Sequence, residues 1–372
     1  MRIRIVLATL LLCLLSIHNA SGAPSFAGDE PAMTAHFINV GQGEATLLEF
    51  PCGAVLVDAG AENPSHVADF MSYLHAFFAR RGDLADTLDL VIITHNHPGH
   101  TRALPDVFRN FNVKYYVDNG HPANTEISGA QEWVRMNVPS EIVREVSAIE
   151  IAGLDDRTGL TGPQIDPLAC AGTDPLIRVL AARHLEYFPT SFERIETPAG
   201  WAPEDFAAED NQSLVVRVDY GEFSLLFTGD LGRVGIGTLI DYYRSGNLLD
   251  VDLYLAGGHG ARDGTSDGLL EAMSPRLAVI AVGSWNGYPA RRNGLPSLAT
   301  WQRLEAAIPA QRIHPRAARL AEGPYRFRTR VVRSRVYATA WDGVIRVTAT
   351  PTGEVTIETS RWRCARVSIP QR

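Results

Sequence analysis

Short apolar runs broken by tight polar turns fill the first quarter of the chain. Residues 35–40 are mostly apolar and close on Gly41-Gln42-Gly43-Glu44. Residues 45–50 form a second run, Pro51-Cys52-Gly53 a turn, and residues 54–60 a third run ending at Asp58-Ala59-Gly60. Strands of this length joined by turns of this kind predict an antiparallel meander. The period then changes. Val67, Phe70, Met71, Leu74, Phe77 and Phe78 follow helical spacing behind Asn63 as a cap and Pro64 at the first position, and Arg81-Gly82 ends the pattern. Residues 88–93 are a run of Leu, Val and Ile with one Asp and no helical period, which reads as a buried strand. A short helix from Leu104 and a strand over 114–117 follow, the strand closing on Asp118-Asn119-Gly120-His121-Pro122.

The second half repeats the strand–strand–helix order without repeating the sequence. Residues 213–218 and 223–227 predict a hairpin turning at Tyr220-Gly221-Glu222 and running into Thr228-Gly229-Asp230. A strand over 251–256 ends at Gly257-Gly258-His259-Gly260. A helix near Ser266, a strand over 277–282, a helix capped by Ser297 and alternating strands from Arg335 to Glu358 complete the chain. Residues 152–174 and 188–210, rich in Gly, Pro, Asp and Thr, read as loops that cover a site. The pattern as a whole is α/β (α+β).

The N-terminus has a different grammar. Arg2 and Arg4, an apolar core over 5–17 and the small residues Ser21-Gly22-Ala23 have the order of a secretory signal peptide, 1–23, followed by a linker over 24–33. The core falls short of the about 20 residues that span a bilayer, and no later stretch is apolar enough to do so. Cys13 lacks the small residues that precede a lipid-modified cysteine. Charge adds a second constraint. The full chain carries 34 basic and 42 acidic residues, net −8, and loss of Arg2 and Arg4 makes it −10. So acidic a protein is not expected to bind nucleic acid. The local exception is eight arginines against the single acid Glu322 between Arg312 and Arg335, read as an outer sheet edge or solvated face. Beyond the signal, Cys52, Cys170 and Cys364 allow at most one disulfide, and spacing does not choose the pair.

The chemistry concentrates in Thr94-His95-Asn96-His97-Pro98-Gly99-His100. Three histidines fall within six residues at the C-terminal end of a strand, where open α/β folds place their ligands. Neutral imidazole is a common ligand for zinc, and His-x-His sets two rings close enough to share an ion.

That motif, followed by a strand ending in Gly229-Asp230 and another ending in His259, resembles the metallo-β-lactamase superfamily. The variety it is most similar to is the hydrolase-like domain of ComEC-type competence proteins and their secreted relatives. Val40-Gly41-Gln42-Gly43-Glu44 matches their Val-Gly-Gln-Gly-Asp turn, and Leu56-Val57-Asp58-Ala59-Gly60 their Leu-Ile-Asp-Thr-Gly strand end. Asn211 to Arg217, Leu226 to Asp230 and Gly258 to Ala261 approximate three further motifs. The resemblance covers about 34–350 and leaves 351–372 as a tail. It implies a four-layer αβ/βα sandwich with a metal site along one edge. In that scheme His95 and His97 hold a first metal, with His121 as third ligand and His184 as the other choice. Asp230 bridges to a second metal, held by His100 and His259; Asp230 and His100 are also the catalytic candidates. His36, His66, His75 and His314 have no motif around them and read as packing or surface residues.

One departure matters. The family pattern His-x-His-x-Asp-His has a carboxylate where this chain has Gly99, and Gly258 replaces the first member of a His-His turn. Glu44, Asp58 and Asp263 are the neighbouring acids, each read as supporting structure. The expectation is one firmly bound zinc and an incomplete second position. The implied function is a secreted or periplasmic hydrolase acting on a phosphoester or related small-molecule ester through zinc-bound hydroxide, since zinc lowers the pKa of its water to about 7. The alternative is a metal- or ligand-binding protein on a catalytically degenerate scaffold, motivated by Gly99 and Gly258.

Overall fold

A computed structural model of the chain describes residues 32–120, 129–154, 157–182 and 208–360. The signal peptide and nearly all of the linker, His121, His184, Cys364 and most of the loop at 188–210 lie outside the described residues.

Two mixed sheets carry the fold. In the first, β1 (Met33–Phe37), β2 (Thr46–Phe50) and β3 (Gly53–Val57) form the expected antiparallel meander. β3 then continues in parallel with β4 (Thr87–Ile92), β5 (Asn112–Asp118) and β6 (Val143–Glu145). The second sheet joins β7 (Leu176–Ala181), β8 (Val215–Tyr220) and β9 (Phe223–Phe227) antiparallel. It extends in parallel through β10 (Leu253–Leu255), β11 (Leu277–Ile280) and, beyond a separate hairpin of β12 (Gln311–Gly323) and β13 (Arg326–Ser334), β14 (Val336–Ala338). The chain returns to the first sheet as β15 (Ile345–Ala349), which pairs with β1, and β16 (Val355–Thr359). The boundary drawn at 350 therefore cuts a paired ladder: the tail over 351–360 contains the edge strand of the first sheet, and Val355 and Ile357 sit in its core.

Alternation along each strand builds the layers. Val55 and Val57 face the other sheet and pack with residues such as Val216, Leu225 and Phe227, while Ala54 and Leu56 face the helix Pro64–Arg80 and its Phe70, Leu74 and Phe78. On the far side of the second sheet, Leu226, Tyr254 and Ala278 pack with Leu239, Leu269 and Leu304 from three helices. Strands buried on both faces must be apolar at successive positions, which is why residues 88–93 lack a clean period of two. The result is the expected helix–sheet–sheet–helix sandwich. Asn63 caps the first long helix as read, its Oδ1 accepting from the Ser65 and His66 amides at 3.0 and 3.2 Å.

The cysteine question is answered by position: Cys52, in the β2–β3 turn, is bonded to Cys170, 118 residues on and ahead of β7, with Cα atoms 5.3 Å apart. The arginine-rich stretch is neither an edge of a main sheet nor wholly solvated. It is the β12–β13 hairpin, in which Arg312 is buried, hydrogen-bonds Asp342 at 3.2 Å and lies over the Tyr337 ring at 4.4 Å.

Candidate metal centre

Four strands from two sheets end at one edge, and backbone hydrogen bonds lace their loops together. β4 runs into Thr94, whose amide and hydroxyl both donate to Asp58 at the end of β3, each at 2.8 Å. Leu214, entering β8, donates to the Thr94 carbonyl at 2.9 Å, so the second sheet is hydrogen-bonded to the histidine loop. Glu44 donates its amide to the Gly99 carbonyl, Gly60 to the Glu44 carbonyl and Ala59 to the His100 carbonyl, all at 2.8 Å. Gly60 allows this approach, since a Cβ there would overlap the Gly99 carbonyl. In the second sheet, the Gly258 amide donates to the Gly229 carbonyl at 3.1 Å and ties the Asp230 turn to the His259 turn. Gly258 and His259 both adopt left-handed backbone, at φ 59° and 53°. Glycine does so freely, whereas a histidine there is strained and must be held by its surroundings.

The side chains converge accordingly. His95 Nε2 lies 3.1 Å from His97 Nδ1, and His100 Nε2 lies 3.3 Å from His259 Nε2. Asp230 stands between the pairs, 3.8 Å from His95, 3.3 Å from His100 and 3.7 Å from His259. The ring orientations are set from behind. His259 Nδ1 is 2.8 Å from the Ala281 carbonyl, and His100 Nδ1 is 2.7 Å from Asp58. Both partners can only accept, so both Nδ1 atoms donate and the Nε2 atoms turn inward. His97 Nε2 is likewise held, 3.0 Å from Glu209.

Electrostatics follow from burial. Desolvation, with repulsion from His100, holds the His95 pKa well below its usual value, and desolvation lowers that of His259, which keeps both imidazoles neutral. Burial also opposes charge on His100, but Asp230 and Asp58 outweigh it and lift its pKa well above normal. Burial pushes the Asp230 carboxyl up, yet His259 and His100 outweigh it and hold it well below the usual range. Burial, reinforced by Asp58, raises Glu44 well above the usual range.

The donor atoms form two groups, each with all its members' atoms within 4.8 Å of one another: His95, His97, Asp210 and Asp230, and Glu44, His100 and His259. Among the described residues Glu44 Oε1 is buried without a hydrogen-bond partner, and Asp230 Oδ1 faces the His100 ring at 3.3 Å. Orphaned carboxylate oxygens are costly to bury unless a cation meets them. The residues present thus fit divalent metal, with the nitrogen and oxygen donors that zinc takes. Beside them opens a cleft of about 410 Å³ whose lining includes Gln42, Arg102, Asp210, Asp230, His259 and Asp263.

Of the residues singled out in sequence, His95, His97, His100, Asp230 and His259 come together; His121 lies outside the described residues. Asp58 supports, as read. Asp263 lines the cleft without joining either donor group. Glu44, read as support, instead stands among the donors. Glu209 and Asp210 were missed. The local signal was two adjacent acids just before the Asn211 motif, at the end of a stretch read only as a covering loop.

An αβ/βα sandwich with histidines and an aspartate gathered at the strand ends of one edge defines the metal-dependent hydrolase fold. Residues 38–284 match the family model of the metallo-beta-lactamase superfamily, and the chain belongs to that superfamily. Three curated proteins match over short stretches. ComE operon protein 3 of Bacillus subtilis is 29% identical over 84 residues, 23% of this chain and 10% of that protein. Competence protein ComA of Neisseria gonorrhoeae is 40% identical over 80 residues, 22% of this chain and 11% of that protein. The chain thus spans about a tenth of the curated relatives it matches. Among solved structures, the metallo-beta-lactamase fold protein YhfI of Bacillus subtilis is similar at 13% identity and a TM-score of 0.39, covering 74% of this chain and 93% of that one. Human tRNase Z, short form, is similar at 12% identity and a TM-score of 0.32, covering 66% and 91%.

Proposed function

We propose that the chain is an exported, zinc-dependent hydrolase of phosphoesters or related esters. The observation that carries this reading is Asp230, a single carboxylate within 3.8 Å of His95, His100 and His259 and open to the cleft. A divalent cation held there supplies Lewis acidity and lowers the pKa of a coordinated water to about 7. The residues of the chain do the rest. His95, His97, Asp210 and Asp230 are placed to hold one cation, and Asp230 also lies 3.3 Å from His100 and 3.7 Å from His259. Glu209 and Asp58 fix the rings of His97 and His100, so little reorganisation is needed on binding. Asp230 is placed to accept a hydrogen bond from the attacking water and aim it into the cleft. Arg102, whose Nε donates to the Ala61 carbonyl at 2.9 Å, brings a cationic group to the cleft lining and favours an anionic substrate. The Cys52–Cys170 bond supports an oxidising compartment.

The test is a panel of phosphodiesters, phosphomonoesters, lactones and lactams offered to purified protein of measured metal content. Phosphoester turnover is expected, abolished by chelation and by His97→Ala. No turnover of any substrate by metal-loaded protein overturns the reading and favours the degenerate scaffold that Gly99 suggests.

A further inference from the structure

We infer that Glu44 supplies the carboxylate that Gly99 lacks, so that the second metal position is held by Glu44, His100 and His259, with Asp230 reaching across from the first. This rests on the metal-dependent reading above and specifies how its second position is built.

Position 99 looks into that second position. A Cβ built on Gly99 would stand 3.7 Å from His259 Nε2 and 3.7 Å from the Gly43 Cα, with nothing nearer. A side chain there would enter the donor group, and glycine sends none. Residue 44 is its neighbour across the loop: the Glu44 amide donates to the Gly99 carbonyl at 2.8 Å. The chain can pass this close because residue 43 is glycine, where a Cβ would sit 2.7 Å from that same carbonyl oxygen. From there the Glu44 carboxylate reaches within 4.8 Å of the His100 and His259 donor atoms, and all three residues are buried.

Glu44 is 2% exposed, and among the described residues its Oε1 accepts no hydrogen bond. Asp58, which supports the site from behind, is by contrast paired to Thr94 and His100. The two departures from the family pattern are also complementary. One carboxylate is absent at residue 99, and the turn that carries Asp in the pattern carries Glu here, one methylene longer, at the residue bonded to it.

Zinc content per chain, with a calorimetric zinc titration, tests this on wild type, Glu44→Gln and the double variant Glu44→Gln/Gly99→Asp. Cobalt(II) absorption gives a second readout independent of turnover. Wild type is expected to bind two equivalents. Glu44→Gln should keep the first and bind the second at least about 10-fold more weakly, as even losses behind metal ligands cost that much. The double variant should regain the second equivalent, because Gly99 has room for the new side chain. Melting in chelator, equal to wild type, shows that Glu44→Gln has folded. Two equivalents in Glu44→Gln at wild-type affinity overturn the inference and leave the metallohydrolase reading standing, as does one equivalent in wild type and variant alike. No bound metal in wild type overturns both.

Discussion

Asp58 is buried, takes a left-handed backbone at φ 58° and accepts from the Thr94 amide, the Thr94 hydroxyl and His100 Nδ1. It touches no donor-facing atom, yet it fixes which nitrogen of His100 faces Asp230. Asp58→Asn keeps the shape but loses one acceptor, and the His100 ring is no longer held in one orientation. Metal affinity is expected to fall roughly 10- to 100-fold, read by competition with a chromophoric chelator, with melting of the metal-free protein changed little. A second residue reports on stability alone. Burial pushes the Asp166 carboxyl from 3.8 to about 6, and its Oδ1 has no hydrogen-bond partner. A carboxyl whose folded pKa is raised favours the folded state fully below the unfolded value near 4, and that contribution is lost as pH rises through 6. Asp166→Asn should therefore leave stability unchanged near pH 3.5. Near pH 7.5 it should raise stability by about 1 kcal/mol, a figure discounted because the group is only half-buried. Urea melts at the two pH values check the sign.

At the scale of elements, the site is a property of strand ends. β3, β4, β9 and β10 each finish at the same edge, and each delivers a side chain or its support there. These ends were legible because a strand's end and the polar turn after it are adjacent in sequence: 88–93 into His95, 223–227 into Asp230, 251–256 into His259. What crosses between elements was not. His97 meets Glu209 across 112 residues, and no local pattern says which loop folds over the end of β4. The close approach of the loops gives a direct test. Gly60→Ala would drive a Cβ into the Gly99 carbonyl, which belongs to the rigid histidine loop. Such overlap, with backbone on the other side, typically costs about 1–3 kcal/mol. Metal uptake should fall together with the melting temperature, while Gly82→Ala, whose Cβ meets nothing within 4 Å, should change neither.

For the whole molecule, the two sheets share a core to which β16 contributes Val355 and Ile357 beside Met33, Ala35 and Phe37 of β1, and the Cys52–Cys170 bond fastens the β2–β3 turn to the segment ahead of β7. Closing a loop of 118 residues removes unfolded-state freedom worth about 4 to 5 kcal/mol on the chain-entropy account. Replacing both cysteines by serine should lower unfolding free energy by an amount of that order in urea melts. Reductant should destabilise wild type in the same measure and leave the double variant unaffected. Sequence by itself determined the kind and order of most elements, the four-layer plan through its resemblance, and the histidines and Asp230 as a constellation. Those depend on residues a few positions apart, whose periodicity and turn chemistry are local. Only the tertiary structure decided that Glu44 stands among the donors, that Glu209 and Asp210 close on His97, and that Cys52 pairs with Cys170. Each of those joins segments far apart in the chain, and hydrophobic periodicity says which face of a strand is buried but not which distant loop lies against its end.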